Sequence, residues 1–341
     1  MKTRRVLVLM HAELVPPTSL EGQKSEDIDK WKMEYDVLAA LESLGHHAVP
    51  LGVEDELRPI RKAIDEHRPH IAFNLLMHFH DAGVYDSALV SWLELIKQPY
   101  TGCNPRGLLL AGDKALSKKI LSYHRIRVPR FAMFPRGKKV RSIPKRLRFP
   151  LFVKSASEHS STGIAQASIV RDFDALVERV EFVHRNVGTS AIAEEFIQGR
   201  EVTVGVIGNQ RLTTFPPYEL HFDTLPEGTA NIATSRVKWD RNYQKKLGVR
   251  TAPAEFEPAQ QREFERLAKR IYRALDLSGY ARIDFRLDAD GRIWVLEANP
   301  NPDLCFGEDF AESAERAGLR YPELVQRIVT LGSSYEPAWK A

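Results

Sequence analysis

The residues best suited to chemistry lie between Tyr280 and Pro300: Tyr280-Ala-Arg282-Ile-Asp284, then Asp290-Gly291, then Leu296-Glu297-Ala-Asn299-Pro300. Two β-type runs flank Asp290-Gly291, a two-residue turn signal, and a hairpin closed there sets Asp284 opposite Glu297 and Arg282 opposite Asn299. Side chains alternate faces along a strand, so all four share one face, with the two carboxylates roughly 5 Å apart at their β-carbons. Like charges at that spacing repel unless something neutralises them. A hard divalent cation does so, since Mg²⁺ takes oxygen ligands from one or two carboxylates together with water and phosphate oxygens. The hairpin is expected to be a metal platform for a nucleotide.

Further candidates lie upstream. Lys154 ends the apolar strand Pro150 to Lys154, just before a polar Ser155 to Gly163 loop, where a cation and backbone amides could hold phosphate oxygens. Taken alone, it also reads as a solvated lysine at a strand end. The chain has no Gly-x-x-x-x-Gly-Lys-Ser/Thr, and no Gly-x-Gly-x-x-Gly opens its first unit, so a mobile loop is expected to grip phosphate. Glu194 and Glu195 stand where a strand, Ala191 to Ile197, meets a Gln-Gly-Arg turn. A hinge there could offer backbone to an adenine edge and a carboxylate to ribose hydroxyls, although solvated glutamates are the plainer reading. Lys114, following Gly112, is ambiguous by itself. His78 and His80 share a face of an extended segment, but no third ligand follows at zinc spacing, and a polar loop over the cleft is expected instead.

The elements that must position these groups are legible in outline. At 341 residues, 43% hydrophobic and 28% charged, the chain has the composition of an ordinary folded protein with room for two or three domains. Its formal charge of +4, from 49 basic and 45 acidic residues, suits an anionic ligand without demanding one. Cys103 and Cys305 have no metal-type spacing and fit a reduced, cytoplasmic protein. The apolar run after Lys2, Arg4 and Arg5 spans only Val6 to Met10, which reads as a first strand rather than a leader, and no membrane span is expected. Alternating signals over the first hundred residues point to a parallel, doubly wound sheet: strands at Val6–Met10, Ala48–Val53 and Ile71–Leu76, helices near 28–44, 57–66 and 86–96, and a short strand at Pro99–Gly102. After a helix from Asp113 to Tyr123, an antiparallel α+β segment follows, with a helix capped by Asp172. The basic run Arg136 to Arg148 lacks interleaved aromatics and reads as a solvated loop, with no nucleic acid expected. A long loop from Pro216 to Pro253 and a helix from Pro258 to Leu275 precede the hairpin, and two helices between Phe310 and Leu331 end the pattern.

In this order the motifs resemble the ATP-grasp superfamily, most closely its D-alanine:D-alanine ligase branch. The resemblance spans nearly the entire chain and rests on Phe73-Asn74-Leu75-Leu76, Pro99-Tyr100-Thr101-Gly102, Gly112-Asp113-Lys114 with Lys118, Phe152-Val153-Lys154 with Ser160-Ser161-Thr162-Gly163, Glu194-Glu195-Phe196-Ile197, Glu201-Val202-Thr203-Val204, and the hairpin itself. It implies an α/β and α+β architecture in three units: an N-terminal Rossmann-like, pre-ATP-grasp parallel-sheet domain (1–110), a small central α+β subdomain (111–199) and a C-terminal antiparallel-sheet catalytic subdomain (200–341). It further implies that Lys114 and Lys154 contact ATP, that Ser160 lies in a loop closing over the phosphates, and that Glu194, Glu195 and Ile197 line an adenine pocket. Glu201 would bind ribose and Lys238 would be a further phosphate contact. Asp284, Glu297 and Asn299 would hold two Mg²⁺ ions, with Mn²⁺ an alternative, and Arg282 would stabilise charge on the reacting carboxyl. Glu13 stands near the family glutamate that orients the first amino acid.

The implied reaction joins a small-molecule carboxylate to an amine through an acylphosphate. Departures from the branch fall on the substrate side. Met77-His78-Phe79-His80-Asp81-Ala82-Gly83 replaces a glycine-rich pattern, and Asp303, Glu308 and Asp309 replace a serine-bearing loop that grips the acceptor carboxylate. Three acids there repel a carboxylate and favour a cation, so the expected acceptor is not D-alanine. The same scaffold hosts small-molecule kinases and non-catalytic ATP-binding proteins, but Arg282 favours a carboxyl substrate. A homodimer is the default expectation for assembly.

Overall fold

A computed structural model describes residues 2–19, 21–23, 25–80, 82–158 and 161–337. The chain opens with β1 (Arg5–His11), α1 (Ser25–Ser43), β2 (His47–Val53), α2 (Arg58–His67) and β3 (Ile71–Asn74), and its first sheet is parallel in the order β2-β1-β3. Val6 to Met10 are all buried, as a central parallel strand covered on both faces requires. β3 stops two residues sooner than expected. The Asn74 side chain accepts from the Leu76 amide at 3.2 Å while its own amide donates to Thr101 Oγ1 at 3.1 Å, turning the chain out of the sheet. The expected strand at Pro99–Gly102 reduces to a single parallel bridge between Tyr100 and Ala72. Beyond α3 (Asp86–Leu95) comes a helix the sequence pattern did not announce, α4 (Pro105–Gly112), started by Pro105 in its first turn and by Asn104, whose side chain accepts from the Gly107 amide at 2.9 Å.

The middle of the chain contributes α5 (Lys114–Tyr123), β4 (Phe131–Phe134), β5 (Leu151–Ser155), β6 (Ile169–Val170), α6 (Phe173–Phe182) and β7 (Ala191–Glu195). Its antiparallel sheet has the order β4-β7-β5-β6, with the unforeseen β4 at one edge. Asp172 caps α6 as expected, accepting from the Ala175 amide at 2.9 Å. Asp113 caps α5 twice, through the Ala115 and Leu116 amides at 2.9 Å each, and so fixes Lys114 at the first helical position.

The remainder forms β8 (Arg200–Ile207), β9 (Thr213–Thr214), β10 (Tyr218–Phe222), α7 (Ser235–Trp239), α8 (Arg241–Leu247), β11 (Val249–Pro253), α9 (Pro258–Ala274), β12 (Tyr280–Leu287), β13 (Ile293–Pro300), α10 (Asp309–Arg316) and α11 (Tyr321–Ser334). The expected loop from Pro216 to Pro253 is thus largely regular. Its two strands extend the sheet β11-β10-β8-β12-β13, and β11, an edge strand only partly buried, offered little apolar alternation to find.

The β12–β13 hairpin does not close in a two-residue turn. Asp288 and Arg292 pair across the three residues Ala289 to Gly291, with Gly291 at φ 75°, a left-handed conformation suited to glycine. That shifts the register by one: Leu287 faces Ile293 and Phe285 faces Val295. A bulge at Leu296 then restores the expected pairs, Asp284 with Glu297 and Arg282 with Asn299. The bulge also lets Val295 and Ile293 join the core. There α9 contributes Phe264, Ala268, Ile271 and Tyr272 against Val202, Val204, Ile283, Phe285 and Val295, leaving the sheet's other face for polar groups.

α11 returns to the first sheet. Leu324, Val325, Ile328 and Val329 pack in one cluster with Val6, Val8, Val37, Leu41, Ile71 and Phe73. A β-carbon at Gly332 would meet the Tyr100 carbonyl at 2.3 Å, so only glycine allows that approach. Among the described residues no helix is long and apolar enough to cross a membrane.

Candidate active site

The polar face of β8, β12 and β13 is organised by two arginine–carboxylate pairs. Arg282 clamps Asp284 with two hydrogen bonds, Nε to Oδ1 at 2.8 Å and Nη2 to Oδ2 at 3.0 Å, and Asn299 Nδ2 adds a third to Oδ2 at 2.8 Å. Burial pushes the Asp284 carboxyl above its usual range, while Arg282 opposes that rise. One pair along, Arg286 Nη2 donates to Glu201 Oε2 at 2.8 Å and Nη1 to the carbonyls of Gly199 and Asn231, which holds Glu201 at the sheet face. Burial raises the Glu201 pKa as well, with Arg286 acting against it.

Three lysines converge on this face from the middle of the chain. Lys154 at the end of β5 lies 3.5 Å from Glu194 Oε1 and 3.6 Å from Glu297 Oε2. Lys114 lies 3.6 Å from the same Glu297 oxygen and donates to the Glu158 carbonyl at 2.7 Å. Lys118, one helical turn further, lies 3.3 Å from Glu194 Oε2 and donates to the Leu296 carbonyl at 2.8 Å, the residue displaced by the bulge. All three ammoniums are buried, and Glu194 is only 2% exposed. Burial lowers the pKa of Lys114, and takes that of Lys118 down to about 8, with the glutamates offsetting part of the effect. For Lys154 burial pulls down too, but Glu194 and Glu297 more than offset it and its pKa is raised.

The structure therefore gathers Lys114, Lys154, Glu194, Glu201, Arg282, Asp284, Glu297 and Asn299 into one charged layer. Glu194 turns to the lysines, whereas Glu195 accepts from the Arg148 amide at 3.1 Å and faces the coil before β5. Ile197 is half-buried beyond the end of β7. Lys238, on α7, is exposed and lies within electrostatic range of Arg282, Asp303, Asp284 and Glu297. Glu13 stands apart, exposed in the turn after β1, with no hydrogen bond or ion pair to the layer. Ser160 falls outside the described residues. Lys118 and Arg286 were given no role from sequence, yet both signals were present: Lys118 is four residues from Lys114 on one helix, and Arg286 continues the alternation Arg282, Asp284 along one strand.

Two carboxylates and one side-chain amide on a shared face offer only hard oxygen donors, the set that Mg²⁺ or Mn²⁺ prefers. No group of three or more His, Cys, Asp or Glu residues suited to a metal occurs among the described residues, so a third donor here is the Asn299 amide. An open cavity of about 1020 Å³ lies elsewhere, against β4 and the basic coil, lined by Lys119, Arg130, Arg141 and Arg146 among others and by no carboxylate. It lacks the acid needed to hold a cation.

Comparison with known proteins gives the family. The family model "D-ala D-ala ligase C-terminus" matches residues 120–330. The D-alanine–D-alanine ligase of Bordetella petrii is 33% identical over 247 residues, 72% of this chain and 71% of that protein. The D-alanine–D-alanine ligase of Desulforudis audaxviator is 30% identical over 297 residues, 86% of this chain and 90% of that protein. The fold matches the crystal structure of D-alanine–D-alanine ligase from Bacillus anthracis complexed with ATP at a TM-score of 0.75 and 23% identity, covering 97% of each chain. The chain belongs to the ATP-grasp, D-alanine–D-alanine ligase-like family of ATP-dependent, ADP-forming carbon–nitrogen ligases.

Proposed function

We propose that this ligase activates a small carboxylate as an acylphosphate and transfers the acyl group to an amine other than D-alanine. The observation that carries the first half is the buried layer of three lysines and two glutamates beside the Arg282–Asp284 pair. Lys114 and Lys154 bind the ATP phosphates, with Lys238 reaching in from α7. Glu194 anchors the lysines, while the backbone from Glu194 to Ile197, with Glu195, lines the adenine site and Glu201, held by Arg286, takes the ribose. Ser160 belongs to the loop that closes over the phosphates and excludes water. Asp284, Glu297 and Asn299 hold the divalent cations, which when bound neutralise phosphate charge and polarise the transferring group.

The donor carboxylate oxygen attacks the γ-phosphorus, and the bond to ADP breaks. Arg282 then faces charge on the acyl carbonyl as the amine nitrogen adds to carbon. The C–O bond to phosphate breaks with its electron pair leaving on phosphate, and the nitrogen gives up a proton to phosphate or solvent. Glu13 orients the amino group of an amino-acid donor. The replacement of hydroxyl donors by Asp303, Glu308 and Asp309 supports an acceptor without a carboxylate at that position. Incubation with ATP, Mg²⁺ and hydroxylamine across an amino-acid pool tests the reading: a hydroxamate is expected, because only an acylphosphate yields one. ADP formation onto alcohols without any hydroxamate would show a kinase instead.

A further inference from the structure

Around the acceptor segment the charge balance is unlike that of the nucleotide layer. Asp309 lies within electrostatic range of Arg282, Asp303 within range of Lys238, and Glu308 within range of both acids, so the charges of the segment after β13 act on the reacting end of the site. It docks on α1, where Lys32 donates to the Phe306 carbonyl and the Phe306 amide donates to Asp36 at 2.9 Å. Glu34 lies on the apolar face of α1 with Trp31, Val37 and Leu41, and is only 1% exposed. Its Oε1 has no hydrogen-bond partner among the described residues, and its charge feels Asp303. Tyr321 Oη is likewise buried without a partner and within range of Asp303. Among the described residues Lys32 pairs with Asp36 and Arg241 with Asp29, which leaves Lys238 as a cation within electrostatic range of Asp303 but not one that shifts the Glu34 pKa.

Buried oxygens left unsatisfied beside an exposed carboxylate are costly unless a donor reaches them, and a bare ammonium brings three N–H donors to such a site. We propose that the acceptor is an amine bearing a second positive charge, of the aliphatic diamine class, with its distal ammonium held by Glu34 and Asp303 while the other amine attacks near Arg282. Glu34 is then a specificity-determining residue contributed by the first unit. The proposal rests on the ligase reading above.

The test uses the full chain with ATP and Mg²⁺. Hydroxylamine first identifies, by hydroxamate formation, which amino acid is activated. With that donor, amide formation is compared for 1,4-diaminobutane, n-butylamine and D-alanine. The diamine is expected to exceed n-butylamine in kcat/KM by about tenfold or more, the scale of a charge-assisted hydrogen bond, and Glu34→Gln and Asp303→Asn should each shrink that ratio severalfold. A nucleotide-induced thermal shift confirms that both variants fold. Equal use of diamine and n-butylamine, faster use of D-alanine, or an unchanged ratio in both variants overturns the proposal while hydroxamate formation leaves the ligase reading standing. Absence of hydroxamate from every amino acid overturns both.

Discussion

Two acidic regions meet at this site and are treated in opposite ways. In the layer above β12 and β13, Glu194 and Glu297 are surrounded by Lys114, Lys118 and Lys154, and Asp284 is clamped by Arg282, so the chain supplies its own counter-charges. Where the segment after β13 meets α1, Glu34 lies within electrostatic range of Asp303, and its buried Oε1 has no hydrogen-bond partner among the described residues. The first arrangement is rigid, because each buried charge depends on its partners. The second leaves a demand that folding itself does not meet, and such a demand points outward to a ligand.

Removing a charge from the balanced layer is the hardest way to break this contrast. Asp284→Asn should lower ADP release on the order of 10³-fold, comparable to losing a principal transition-state contact, with the far-ultraviolet dichroism unchanged. Retained activity would show that the hairpin is not the catalytic platform. Lys118→Met strands Glu194 Oε2 and the Leu296 carbonyl, and should cost about 3 kcal/mol of stability by urea denaturation. A loss near zero would mean the layer is not rigidly interdependent.

The unbalanced region should respond the other way. Burial, with Asp303 adding to it, raises the Glu34 pKa from 4.5 to about 7. A raised acid gives stability that is fully present below pH 4.5 and is lost as pH rises through 7. Glu34→Gln cannot ionise, so it should match the wild type at low pH and exceed it by about 2 kcal/mol at pH 8 in urea midpoints. Parallel curves for the two proteins would remove Glu34 from this account. Gly291→Ala, at a left-handed turn remote from both regions, should cost only about 1 kcal/mol and leave acceptor selectivity untouched, which calibrates the others.

The fold class was legible in the sequence, and so were two strand pairings at the candidate site. The partners Asp284–Glu297 and Arg282–Asn299 were legible because strand alternation is a strong rule, yet the turn that should have set their register was wrong. A three-residue connection and the Leu296 bulge displaced the pairing and then restored it. Bulges leave little trace in an apolar pattern, so the agreement owed something to cancellation. The elements between Pro216 and Pro253, and the strand Phe131–Phe134, were missed because edge strands are half-exposed and short. Glu34 had a visible signal, an acid on the same helical face as Val37 and Leu41, but a lone acid on an apolar face acquires meaning only when its neighbour from the far end of the chain is known.

The position of α11 has a consequence for synthesis. On the ribosome, α1 can cover only part of the first sheet's apolar side until α11 emerges, since Leu324, Val325, Ile328 and Val329 supply the rest of that cover. A nascent chain stalled before Tyr321 would carry Val6, Val8, Ile71 and Phe73 open to chaperones or to other unfinished chains. Emergence of α11 is therefore expected to be the event that commits the N-terminal sheet to its final packing.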